Sequence, residues 1–101
     1  DLLAGSDCEI EEFRLSEDPL LMSHIAHRSL QELDLARRTG AMVLAIRDNN
    51  SIAANPNGEV TLAPGQMLVV MGSKQQLEDL REIFGDAIDE VETMRGMQAI
   101  E

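Results

Sequence analysis

Short apolar runs separated by polar turns predict the strands of this chain. The runs lie at four places along the sequence: residues 8–15, 42–46, 51–55 and 67–71. In the first run Phe13 and Leu15 fall on one side of a partial alternation, which favours a strand with one core face. The run Met42–Ile46 is continuous and short, which predicts a strand buried on both faces. Asp48–Asn50 is a turn sequence, so residues 51–55 are expected to return as the hairpin partner.

Two segments have helical spacing and a capping signal at their start. Ser29 is followed three residues later by Glu32, and Ser73 is followed in the same way by Gln76. In this capping box each residue's side chain binds the backbone N–H of the other, which starts a helix. A glycine after each segment favours a helix end. We expect helices over residues 29–39 and 73–84.

The order of these elements predicts the fold class. A β-α-β-β-β-α order that contains a hairpin is typical of an α+β domain, with a mixed or antiparallel sheet and helices packed on it. The acidic segment 86–101 has apolar residues at helical spacing. We expect either a frayed tail or a helix that docks on a partner, and we favour the helix.

The composition argues against several classes of partner. The chain has 101 residues, of which 44% are hydrophobic and 2% aromatic, and its formal net charge is −11. The length suggests one domain. The charge argues against nucleic acid and against an anionic membrane surface as partners. No apolar run approaches the roughly 18 residues of a membrane span, so no direct membrane insertion is expected.

The cysteine content predicts the redox compartment, and the start of the sequence predicts how the chain relates to a longer protein. One cysteine, Cys8, excludes an intramolecular disulfide and fits a reducing compartment. The chain shows no signal peptide and begins with Asp1 rather than Met. We therefore expect an excised domain of a longer polypeptide.

Catalytic and metal-binding patterns are weak. No motif of a nucleophile, a phosphate-binding loop or a metalloenzyme occurs, so we do not expect an enzyme. His24 and His27 lie three residues apart and would share a helix face, but no third ligand has a matching spacing. The acidic run over residues 86–92 is expected to be a solvated helix face, with calcium or magnesium binding as the alternative.

The predicted hairpin carries candidate ligand groups. Arg47 directly follows an apolar strand, where its guanidinium either faces water or pairs with a phosphate or carboxylate. Asn55 precedes Pro56, which favours an extended backbone. Its amide is then placed to bind a ligand ring, while the proline offers a flat apolar surface. The other residues that we expect along such a groove are Val43, Leu44, Asn49, Ile52, Ala53 and Ala54. Each apolar residue of this set also fits an ordinary core position.

A family resemblance emerges from six short motifs taken in order. They are Ser29-Leu30-Gln31-Glu32-Leu33, Arg38-Thr39-Gly40, Val43-Leu44-Ala45-Ile46-Arg47, Asn55-Pro56, Leu62-Ala63-Pro64-Gly65-Gln66 and Met67-Leu68-Val69-Val70-Met71-Gly72-Ser73. In this order the chain, over about residues 9–84, resembles the RCK-C or TrkA-C domain, the C-terminal regulatory subdomain of potassium channels and transporters. Three positions depart from the family pattern: His27, where a glycine is usual, Asp48, where the family arginine stands, and Gln66, where aspartate is usual.

The resemblance implies a regulatory module on the cytoplasmic face of the cell membrane, within a membrane protein complex. It implies a two-fold homodimer that follows a Rossmann-like RCK-N domain and acts on a channel or transporter pore. In several members the dimer cleft binds cyclic di-AMP, and other members sense calcium. The implied layout is a linker from the upstream domain at residues 1–8, the regulatory domain at 9–85 and an acidic tail or helix at 86–101.

Three hypotheses therefore stand for the function. The first is a domain that binds cyclic di-AMP at its dimer interface and gates potassium flux, with Val43, Leu44, Arg47, Asn49 and residues 52–56 as its ligand contacts. The second is a calcium-sensing module. The third is a dimerisation domain without a ligand.

Overall fold

A five-stranded antiparallel sheet with helices on one face forms the body of the protein. The computed structural model describes residues 8–93. In chain order the elements are β1 (Cys8–Leu15), α1 (Leu30–Leu33), α2 (Leu35–Thr39), β2 (Met42–Arg47), β3 (Ile52–Ala54), β4 (Met67–Ser73), α3 (Lys74–Phe84), a 3-10 turn (Gly85–Ala87) and β5 (Ile88–Thr93). The strand order is β3-β2-β4-β1-β5, and every neighbouring pair is antiparallel. The prediction of an α+β fold is confirmed.

The alternation along β4 divides the sheet into two faces. Leu68 and Val70 are fully buried and pack in one core with Leu77, Leu80 and Phe84 of α3. We call this side the helix face. The intervening residues Met67, Val69 and Met71 are half-buried on the other side, which we call the open face. Because successive side chains of a strand point to opposite faces, each residue paired with β4 can be assigned to one of them.

The first predicted helix is interrupted. Ser29 and Glu32 form the expected capping box, but Asp34 has a φ of 54° and separates α1 from α2. Aspartate adopts this left-handed conformation more readily than most residues. The Asp34 N–H still caps α1 by donating to Leu30 O at 2.9 Å, and Arg38 Nη1 donates to Leu33 O at 3.1 Å. The prediction of one helix over residues 29–39 is therefore wrong at its centre.

The second predicted helix is confirmed. The Ser73 hydroxyl accepts a hydrogen bond from the Gln76 N–H at 3.1 Å, and Gln76 Oε1 accepts from the Ser73 N–H at 2.8 Å. The helix buries Leu77, Leu80 and Phe84 on one side, as the spacing predicts. Gly85 follows it with a φ of 53°.

The strand β2 is buried on both faces at Ala45 and Ile46 but not at its two ends, so the prediction holds only in part. Met42 lies on the open face opposite Met71 and is 54% exposed. The helices of residues 8–93 cover one side of the sheet, so a continuous apolar run here does not require burial on both sides along its whole length. A register shift between Val43 and Ala45 also places one extra residue in β2 against β4, which is a β-bulge.

The predicted helix or tail after Gly85 is a strand over its described part. β5 pairs with β1, with Ile88 opposite Leu15 and Val91 opposite Phe13. The three-residue spacing of Ile88 and Val91 suggested a helix from sequence. A register shift in this ladder inserts one residue between them, so both meet core residues of β1. Residues 94–101, and residues 1–7 of the predicted linker, lie outside the described residues.

Candidate functional site

One hairpin at the edge of the sheet carries all nine predicted ligand contacts. β2 contributes Val43, Leu44 and Arg47, the turn contributes Asn49, and β3 with the two residues after it contributes Ile52, Ala53, Ala54, Asn55 and Pro56. The turn is closed by the Asp48 N–H, which donates to Ser51 O at 2.9 Å. The predicted hairpin is confirmed, while the binding role of these residues stays a prediction.

The chain leaves the hairpin through a tight bend. Asn55 has a φ of 50°, so the expected extended backbone before Pro56 is wrong. Asparagine tolerates the left-handed region, and here its N–H also donates to Leu44 O at 2.7 Å. The following segment then turns back against α1, where the Gln31 N–H donates to Gly58 O at 2.9 Å. These two bonds fix Pro56 between the hairpin and α1.

A groove of about 320 Å³ lies where the hairpin meets the first two helices. Its lining is Leu30, Gln31, Asp34, Leu35, Ala36, Ala41, Met42, Val43, Pro56 and Gly58. Most of these side chains are apolar, and Gln31 and Asp34 add polar groups. An apolar cleft with a few polar groups is the usual form of a small-molecule site.

The predicted contacts divide between the two faces of the sheet. Val43 and Pro56 line the groove. Arg47 lies opposite Met67 and Ile52, so it projects from the open face. Its Nη2 is 3.5 Å from Glu12 Oε2, and the Glu12 side chain is only 10% exposed. The structure therefore does not bring the predicted phosphate-binding arginine into the groove: Arg47 ends β2 and pairs with Glu12, whereas the groove is lined by Met42 and Val43 at the start of that strand.

A different cation contacts one residue of the groove lining. Arg37 of α2 is paired with the carboxylate of Asp34, which lines the groove, and the arginine side chain is 78% exposed. The sequence prediction omits both residues, as well as the lining residues Leu30 and Leu35. The sequence signal that could have identified this part of the lining is Asp34, which stands between two leucines in the middle of the predicted helix.

The histidines take structural positions. His24 Nε2 lies 3.1 Å from Phe84 O, which joins the segment after β1 to the end of α3. His27 has a φ of 67°, and its N–H donates to Leu62 O at 2.8 Å. In the part of the chain from residue 8 to 93, no group of three or more histidine, cysteine, aspartate or glutamate side chains is arranged to hold a metal ion.

Two carboxylates have shifted pKa values. Burial raises the pKa of Glu11, and the nearby Arg81 guanidinium, 3.3 Å away, opposes that rise. Hydrogen bonds from the backbone and hydroxyl of Ser29 lower the pKa of Glu32. Both groups belong to the scaffold: the first joins β1 to α3, and the second completes the cap of α1 beside the groove. Within residues 8–93, no helix has the length and apolar character that a membrane crossing needs.

Solved structures with this fold include two that contain cyclic di-AMP. The chain is 23% identical to the dimer of the RCK_C domain of S. agalactiae BusR in complex with c-di-AMP, with a TM-score of 0.62, covering 72% of this chain and 91% of that one. It is 22% identical to the RCK C domain of the potassium transport protein KtrA in complex with c-di-AMP, with a TM-score of 0.63, covering 80% and 86%. At these identities the likeness shows the fold.

Sequence comparison identifies the family. The chain is 30% identical over 77 residues to the probable potassium channel protein 2 of Methanocaldococcus jannaschii, a match that covers 76% of this chain and 21% of that protein. The chain therefore spans about a fifth of the length of this relative. The TrkA-C domain family matches residues 11–85, which is more than half of the chain. The chain belongs to the TrkA-C, or RCK-C, domain family.

Proposed function

We propose that this domain regulates a potassium channel or transporter by binding cyclic di-AMP between two copies of the chain, on the cytoplasmic face of the membrane. The observation that carries the proposal is the apolar groove beside the hairpin. It is supported by the family match over residues 11–85 and by the c-di-AMP complexes of two structural neighbours. In this proposal residues 9–85 form the regulatory domain, and residues 1–8 join it to an upstream RCK-N domain.

The groove suits an adenine ring. Leu30, Leu35, Met42 and Val43 offer aliphatic surface for the face of a purine. The Gln31 side chain offers both a donor and an acceptor for the polar edge of the ring. One groove of about 320 Å³ takes one base, so two copies are needed for the two bases of the dinucleotide. A two-fold ligand matches a two-fold protein dimer.

The phosphates need positive charge, because the chain as a whole has a net charge of −11. Arg37 contacts the groove through its ion pair with the lining residue Asp34. Its pairing is largely exposed, and exposed ion pairs contribute only about 0–1 kcal/mol, so exchange of the carboxylate for a phosphate costs little. Arg47 is already paired with a nearly buried carboxylate on the open face. We therefore assign the phosphate contact to Arg37 before Arg47.

Gating follows from the way in which the ligand joins two copies. A ligand shifts an equilibrium between two arrangements of the dimer only by its difference in affinity for them. That difference is the coupling free energy available to move the attached pore. The arrangement that closes both grooves around one dinucleotide is the one that the ligand stabilises.

Calorimetric titration with cyclic di-AMP, at near-physiological salt and without divalent ions, tests the proposal. We expect saturable binding of one ligand per two chains. Arg37→Ala should weaken binding about tenfold or more, since a hydrogen bond to a charged group contributes about 1.5–3 kcal/mol. Arg14→Ala makes the same charge change on β1, away from the groove, and serves as the matched control.

The outcomes separate the three hypotheses. No heat and no rise in melting temperature with the nucleotide would refute cyclic di-AMP binding by this chain. A rise in melting temperature with calcium chloride alone would then favour the calcium-sensing module. A stable dimer that responds to neither ligand would favour the dimerisation domain. An equal loss of affinity in Arg37→Ala and Arg14→Ala would reject Arg37 as the phosphate contact.

A further inference from the structure

The open face of the sheet has an apolar end. Ile10 of β1 pairs with Met71 of β4, and Met71 pairs in turn with Met42 of β2, so the three side chains form one row across three strands. We call these three residues the apolar row. Met42 is 54% exposed, and the other two residues are half-buried. Contiguous apolar surface of this kind often marks a place where another group packs.

The described helices leave the apolar row uncovered. The helices of residues 8–93 pack on the helix face, and the row lies outside the core that they form with the sheet. The other end of the open face is charged, because Arg47 pairs there with Glu12 and Arg14 pairs with Glu90. The open face therefore offers its apolar surface at the end where Ile10 lies.

The chain leaves β5 beside this row. Thr93, the last residue of β5, pairs with Glu11 of β1. Continuing the same ladder by one residue would place Met94 opposite Ile10. Because residues that are opposite each other in a ladder share a face, Met94 would extend the apolar row to β5.

The composition of residues 94–101 suits such a surface. Apolar side chains recur every three positions at Met94, Met97 and Ile100. The one arginine and the one glutamate of this segment cancel in charge, so the net charge of −11 on the chain does not repel it. Gly96 lets the backbone turn out of the strand direction, because glycine adopts conformations that other residues avoid.

The segment is also long enough to cross the row. β5 and β2 are three strand spacings apart, which is about 14 Å at about 4.8 Å each. The six residues from Met94 to Ile100 span about 20 Å when extended. A short covalent connection keeps the segment near the row at an effective concentration of about millimolar, which favours it over a separate partner.

We propose that residues 94–101 cross the open face and cover the apolar row, with Met97 above Ile10 and Met71, and with Ile100 above Met42. The occupant of this surface is thus the chain's own segment after β5. Since Met42 also lines the groove, the end of the segment lies next to the candidate ligand site. The proposal does not depend on which of the three functional hypotheses holds, because it requires no ligand.

Disulfide cross-linking tests the path of the segment. In the full chain with Cys8→Ser, the pair Met42→Cys and Ile100→Cys should form an intrachain disulfide under mild oxidation, because side chains in contact come within disulfide geometry. Met67→Cys with Ile100→Cys is the matched control. Met67 lies on the same face, four residues or about 13 Å along β4 from Met71, so this pair should stay reduced.

The products on a non-reducing gel separate the possible occupants. An intrachain disulfide in the Met42 pair and none in the Met67 pair supports the proposal. Equal reaction of the two pairs, or no reaction of either, overturns it. A covalent dimer in place of the intrachain product would assign the apolar row to a second copy and would also overturn it.

Peroxide oxidation of methionine, followed by mass spectrometry, tests the cover without added cysteines. Ile100→Asp should raise the oxidation rate of Met42 several-fold, because a charged side chain is not accepted on an apolar surface. Gln98→Asp adds the same charge between the apolar positions and should leave that rate unchanged. Met22 is fully buried in the core, so its slow oxidation reports that each variant is folded. An equal rate at Met42 in Ile100→Asp and the wild type would overturn the proposal.

Discussion

Substitutions at Asp34 give the sharpest test of how the groove is built. This residue has a φ of 54°, separates α1 from α2, lines the groove and pairs with Arg37. Three replacements separate these roles. Asp34→Gly removes the conformational cost and the charge, Asp34→Asn removes the charge alone, and Asp34→Ala removes the charge while keeping a side chain that disfavours this backbone.

The structure sets the expected changes in the free energy of unfolding. A left-handed conformation costs a non-glycine residue about 1–2 kcal/mol, with aspartate and asparagine at the low end. The ion pair is exposed and contributes about 0.2–1 kcal/mol. Asp34→Gly should therefore leave the free energy of unfolding unchanged or raise it by up to about 1 kcal/mol. Asp34→Ala should be about 1–2 kcal/mol less stable than Asp34→Gly.

Urea unfolding of the three variants measures the order of their stabilities. Asp34→Gly should be the most stable, Asp34→Asn should lie near the wild type, and Asp34→Ala should be the least stable. Each 1 kcal/mol also corresponds to about 4–8 °C in melting temperature for a domain of this size. Equal stability of Asp34→Ala and Asp34→Gly would refute the argument, because it would mean that the left-handed turn at this position is not formed.

The same variants address the ligand. Removal of a carboxylate from the groove should strengthen binding of an anion, and a unit charge at about 4 Å contributes about 1 kcal/mol in water. Asp34→Asn should thus bind cyclic di-AMP about fivefold more tightly than the wild type in calorimetry. Weaker binding would show that the carboxylate itself contacts the ligand.

Two further predictions concern the scaffold. Ser73→Ala removes the cap of α3 and should lower the free energy of unfolding by about 1 kcal/mol, measured by urea unfolding, with Ser73→Asn as the variant that retains a cap. Glu11 has a pKa raised mainly by burial, so the stability that its protonated form contributes is present at low pH and is lost as pH rises through the folded pKa. Glu11→Gln should therefore gain stability relative to wild type as pH rises from the ordinary pKa of a glutamate through the raised pKa of the folded state, and a difference that stays constant with pH would contradict the assignment.

The features that were predicted correctly are set by residues close in sequence. The capping box at Ser73 and Gln76 and the turn at Asp48–Asn50 are formed by neighbours along the chain. Local chemistry decides these elements, and the sequence contains all of it. The regular spacing of buried residues in α3 is likewise a property of a single segment.

The features that were missed depend on partners far away in sequence. Ile88 and Val91 form a strand because the edge of β1 is available and a register shift restores their alignment with Phe13 and Leu15. No local pattern contains that shift. The break at Asp34 was masked by an intact capping signal upstream.

In the candidate site, the position and direction of each side chain along β2 decide which of the predicted ligand contacts line the groove. Ile46 lies in the core, so its neighbour Arg47 faces the opposite side of β2, where it pairs with Glu12 and does not line the groove. The groove instead takes its apolar lining from α1, α2 and the hairpin, and Arg37 of α2 pairs with its lining residue Asp34.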